Sequence, residues 1–117
     1  CLNTNALEFD HDTPVPNFDF LERQIDGFPT GAEKTVVVMH AKPYSEQFDN
    51  NVAKIFQQTI RRFPQLPFCM NGHGHNFAAE DLFDDGVIYY ECDNIDKKTY
   101  LLFTVTKEGY DYERVEF

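Results

Sequence analysis

The sequence predicts an α/β fold in which a β-α-β unit is followed by an antiparallel meander, and three observations carry that expectation. Thr35-Val36-Val37-Val38-Met39 is a continuous β-branched run without polar alternation, the pattern of a central strand buried on both faces. A second apolar run, Leu66 to Met70, follows after one helix length, which makes the two strands parallel with a right-handed crossover. From Gly86 onward, short β-rich segments are joined by hairpin-length polar loops.

The elements follow in chain order. Phe18, Leu21 and Ile25 recur at helical spacing, with Asn17 placed to cap and Gly27 to stop, so Asn17 to Asp26 reads as a short amphipathic helix. Pro14 and Pro16 mark the loop before it, and a Gly-Phe-Pro-Thr-Gly turn leads into the first strand, which ends at His40. Phe48, Val52, Ile55, Phe56, Ile60 and Phe63 then share one helical face, with Ser45 as candidate N-cap, Glu46 in the first turn and Arg61 and Arg62 in the last. Pro64 ends that helix. After the second strand come the three members of the meander, Val87 to Cys92, Tyr100 to Thr106 and Tyr110 to Phe117. The last, "YDYERVEF", carries the charge of a solvent-facing edge.

Composition bounds the function. At 117 residues the chain is one domain or part of one, and 42% hydrophobic content with twelve Phe and six Tyr is that of a folded protein. Twenty acidic against ten basic side chains give a net charge of -10, which repels a phosphate backbone and disfavours nucleic acid as a partner. Bound divalent cations would reverse the local field even so. Cys1, Cys69 and Cys92 form no Cys-x-x-Cys pair, so no thiolate zinc site is indicated, and Cys69 and Cys92 read as small core residues. No apolar run approaches the roughly 18 residues of a membrane span, and no signal peptide is visible.

The chemistry gathers in the histidines. "FCMNGHGHN" at 68–76 places His73 and His75 within one short loop, each preceded by a glycine that frees the backbone. With parallel strands, His40 and His73 lie just beyond neighbouring carboxyl ends, where ligand sites of open α/β sheets collect. Imidazole suits Zn, Mn, Fe, Co and Ni, and separated strand ends are where such ligands meet. His11 reads as a surface residue in a proline-bounded loop. Asp81, Asp84 and Asp85 read as a turn and solvated hairpin entry rather than as metal ligands.

These motifs together resemble the C-terminal half of the calcineurin-like metallophosphoesterases. The resemblance rests on "VVVMHAKP" at 36–43, a helix, then "NGHGH" at 71–75 in the place of the family's Gly-His-x-His, then antiparallel strands. The helix "FDFLERQI" also fits. It implies half of an α/β/β/α sandwich and a two-metal site, with His40 and His73 on one ion and His75 on the other, the ions being Mn, Zn or Fe. It also implies a phosphate mono- or diester as substrate. The family's Asp-x-His, Gly-Asp-x-x-Asp and Gly-Asn-His-Asp/Glu segments, which carry the carboxylate bridge, do not occur in these 117 residues. The resulting expectation is a C-terminal phosphoesterase portion, inactive alone, with incomplete metal occupancy. Its exposed apolar surface would be covered by self-association or by the missing N-terminal half. The alternative from a different class is a non-catalytic interaction module with at most one structural metal.

Overall fold

In the computed structural model, which describes residues 1–6, 15–28, 31 and 34–117, the first helix forms where its cap predicts. The Asn17 side chain accepts the Phe20 N–H at 3.0 Å and starts α1 (Phe18–Asp26), with Asp19 in the first turn, where the helix dipole favours it. Leu21 drives into the core, and Phe18, Phe20 and Ile25 pack against it.

Four strands make the main sheet: β1 (Val37–Met39), β2 (Phe68–Asn71), β3 (Ala78–Glu80) and β4 (Ile88–Glu91), in the order β1-β2-β4-β3. β1 and β2 are parallel, as the β-α-β reading requires, and β2 and β4 are parallel as well. Only β3 runs antiparallel, against β4. β5 (Thr99–Val105) and β6 (Tyr110–Glu116) form a separate antiparallel hairpin. The expected three-stranded meander is therefore corrected: its first member belongs to the parallel sheet. Residues 72–87 provide a crossover without a helix, long enough to bring the chain back in the same direction.

The second helix also starts later than its apolar spacing suggests. Asn50 accepts the Tyr44 N–H at 2.7 Å and donates to the Ser45 carbonyl at 2.9 Å, which folds that stretch into a closed loop. A 3-10 turn at Asn50–Val52 follows, capped by Asp49 rather than by Ser45, and α2 spans Ala53–Ile60. Phe48, Phe56, Ile60 and Phe63 reach the core as expected, but Ile55 is exposed.

Strand register sorts the two faces of the sheet. Val37, Cys69 and Tyr89 stand in one row, and with Met39 they pack against Leu21, Phe56 and Ile60 of the helices. On the opposite face Phe68 stacks on Phe103 at 4.6 Å, and the Tyr90 and Tyr110 hydroxyls meet at 2.8 Å. The result is helices, then sheet, then hairpin. Asp93 ties the last two layers together by accepting from the Phe77 N–H, the Thr99 hydroxyl and the Arg114 guanidinium at 2.9–3.1 Å. Burial pushes its carboxyl up, but those donors outweigh burial and hold it below the ordinary aspartate range. Among the described residues no helix is long and apolar enough to cross a membrane.

Cys69 is fully buried, and burial pushes its thiol up to about 12 despite a hydrogen bond with Tyr89. Because the thiolate is the reacting species, a thiol reagent at pH 8 should label the exposed Cys1 and leave Cys69 untouched until the chain unfolds. Labelling of Cys69 at the rate of Cys1 in native buffer would contradict this packing. Cys92, expected as a core residue, is only half-buried.

Candidate metal centre

Met39 pairs with Asn71 across the β1–β2 ladder, so the chain leaves both strands at one edge of the sheet. The Gly72 N–H donates to the His40 carbonyl at 3.0 Å and joins the two exits. His40 and His73 consequently face each other, with ring centroids 5.2 Å apart in an edge-to-face arrangement. Each ring has an acceptor from the loop before α2: His73 Nε2 lies 3.1 Å from Glu46 Oε1, and His40 Nε2 lies 2.8 Å from Gln47 Oε1. A carboxylate only accepts, so the Glu46 contact places a proton on His73 Nε2.

The His-Gly-His turn is built differently from the expectation. The left-handed backbone falls on the histidines themselves, with φ of 75° at His73 and 59° at His75. Non-glycine residues in that region are costly and concentrate at functional sites. Gly74 serves close approach instead: its N–H donates to Glu91, and a Cβ there would overlap the Glu91 carboxylate. His75 is exposed, and its carbonyl accepts from Lys97 Nζ at 2.6 Å.

Beside the histidines is an ion pair that the sequence reading missed. Lys42 Nζ lies 3.0 Å from Glu91 Oε2 and 3.0 Å from Glu80 Oε1. Burial alone lowers the lysine, but hydrogen bonds to Glu91 and Glu80 and their charges more than offset it, holding Lys42 above its ordinary range. Glu91 and Glu80 stand 49 and 38 positions from Lys42 in the chain, so no local pattern announces them. The available signal was a single acidic residue closing the apolar run "VIYYE".

Two imidazoles converge, yet among the described residues no group of three His, Cys, Asp or Glu side chains is arranged to hold an ion. His11 lies outside the described residues. Asp81 accepts from the Asp85 and Gly86 N–H groups, and Asp85 from Gln57 and the Val87 N–H, so both shape the turn into β4, although the Asp85 side chain, expected to be solvated, is 7% exposed. No protein-family model, curated protein or solved structure matches this chain.

Proposed function

We propose that this chain supplies the imidazole part of the metal centre of a divalent-metal-dependent phosphoesterase acting on phosphate mono- or diesters. His40 and His73 would hold one ion and His75 would contribute to a second, with Mn, Zn or Fe as the metals. The carboxylate ligands would come from outside these 117 residues. The observation that carries the reading is the convergence of His40 and His73 at 5.2 Å beyond neighbouring parallel strands. Support also comes from the layering of helices, sheet and hairpin, which is compatible with that reading. Tyr100, Leu102 and Phe117 on the hairpin remain exposed, as a fold awaiting another copy or an N-terminal half would leave them.

When bound, the ions would lower the pKa of a water and offset charge on the phosphoryl oxygens. The chain's own residues bind and orient: His40 and His73 as neutral ligands, and Glu46 by holding the His73 ring. A non-catalytic interaction module with at most one structural metal is the second reading, favoured by the small donor set gathered within the described residues.

Adding Zn²⁺ or Mn²⁺ should shift the His40 and His73 ring resonances together and raise the melting temperature, with both effects lost in His73→Ala. The isolated chain should not hydrolyse an aryl phosphate in Mn²⁺. Histidine resonances that ignore metal would sink the proposal, and robust hydrolysis by the chain alone would overturn its inactivity. Hydrolysis by a longer chain carrying the Asp-x-His and Gly-Asn-His segments favours the enzyme over the module.

A further inference from the structure

We infer that Lys42 and Glu91 form a positioning pair that sets the His40 exit against the His73-Gly74-His75 turn. This rests on the reading of those histidines as metal ligands. Glu91 ends β4 in register with Asn71 at the end of β2, so three parallel strands bring His40, His73 and Glu91 to one edge. Its side chain is only 7% exposed. One carboxylate oxygen takes the N–H of Gly74, the residue between the two histidines, and the other takes Lys42, two residues past His40. A single buried group is thus bonded to both ligand-bearing segments. Lys42 also reaches Glu80 on the edge strand β3, which anchors the pair to the rest of the sheet.

Stability alone does not account for this arrangement. A buried ion pair can often be replaced by apolar residues of similar volume at no loss, because desolvation offsets the Coulomb attraction. What a leucine at 91 could not supply is a directional acceptor for Gly74. That turn needs one, since both flanking histidines adopt left-handed backbone and an unrestrained loop would relax to other conformations. The absence of a side chain at Gly74 is part of the same device, because any Cβ would displace the carboxylate.

The double variant Lys42→Met/Glu91→Leu tests the pair, since both charges leave together and no unpaired charge is buried. Its melting temperature should stay near that of the parent. The ring-to-ring nuclear Overhauser contact between His40 and His73 in the metal-free chain should be lost, and Zn²⁺ affinity should fall by about 10–100-fold. Glu91→Gln keeps an acceptor for Gly74 and should retain both the ring contact and most of the affinity. Gly74→Ala, which keeps both charges but displaces the carboxylate, should reproduce the double variant's loss. Ring contact and Zn²⁺ affinity unchanged in the double variant and in Gly74→Ala would overturn the inference and leave the pair a purely structural one. A parent chain that binds no Zn²⁺ sinks the metal reading instead, and the metal-free ring contact then still decides whether the pair positions these side chains.

Discussion

Phe68→Ala should cost about 3–5 kcal/mol, the range for deleting a fully buried aromatic ring, and should release the hairpin before the rest of the fold. Phe68 is 1% exposed and points away from the helices. It stacks on Phe103, lies 4.5 Å from the Tyr110 ring and meets Tyr90 edge-on at 5.7 Å. Each such ring pair adds about 0.5–1.5 kcal/mol beyond burial, so one truncation removes the centre of the aromatic layer between sheet and hairpin. A two-stranded hairpin is marginal by itself in water, and among the described residues β5–β6 has no other sheet partner. Hydrogen exchange should therefore show the β5 and β6 amides losing protection at denaturant concentrations where β1, β2 and β4 remain protected. Phe68→Leu, which keeps most of the volume, should lose less than half as much. A loss below about 1 kcal/mol, or hairpin protection unchanged, would mean that the Asp93 and Tyr90–Tyr110 hydrogen bonds and the remaining Tyr90 ring contacts suffice to hold the layers together.

What was legible in the sequence follows from range. α1 could be read because its information is local: one capping side chain and an apolar residue every turn. The parallel pairing of β1 and β2, and with it the meeting of His40 and His73, could be read because one intervening helix leaves few ways to return. The parallel pairing of β4 could not. Its crossover has no helix, β3 is the three-residue segment Ala-Ala-Glu without alternation, and the loop after β4 has the length of a hairpin connection. The start of α2 was misjudged for a different reason: Asn50 stabilises a loop that competes with helix over residues whose apolar spacing still fits one. Within the site, the ligand-type residues were visible by chemistry. Glu46, Gln47, Lys42 and Glu91 were not, because their roles exist only once distant strands are in register.

Lys42→Met alone should be more damaging than removing both members of its ion pair. The single change leaves the buried Glu91 carboxylate with no cation, and breaking a fully buried pair from one side costs about 3–5 kcal/mol, an upper bound for this partly buried one. The contact with Glu80 contributes little to that figure, since the Glu80 side chain is 47% exposed and exposed pairs are worth about 0–1 kcal/mol. Alkaline titration separates charge from packing. Lys42 has a folded-state pKa above its unfolded value, so its contribution is fully present below the unfolded value of about 10.4 and is lost as pH rises through the raised one. The stability gap between the parent chain and Lys42→Met should accordingly be constant from neutral pH to about pH 10 and close above it. In the parent, too, Glu91 then has only a neutral amine beside it. A gap that persists undiminished at high pH would assign the loss to the lysine's methylene packing. A gap under about 1 kcal/mol at neutral pH would mean that Glu91 reaches water when Lys42 is gone, which its enclosure between Gly74 and β4 argues against.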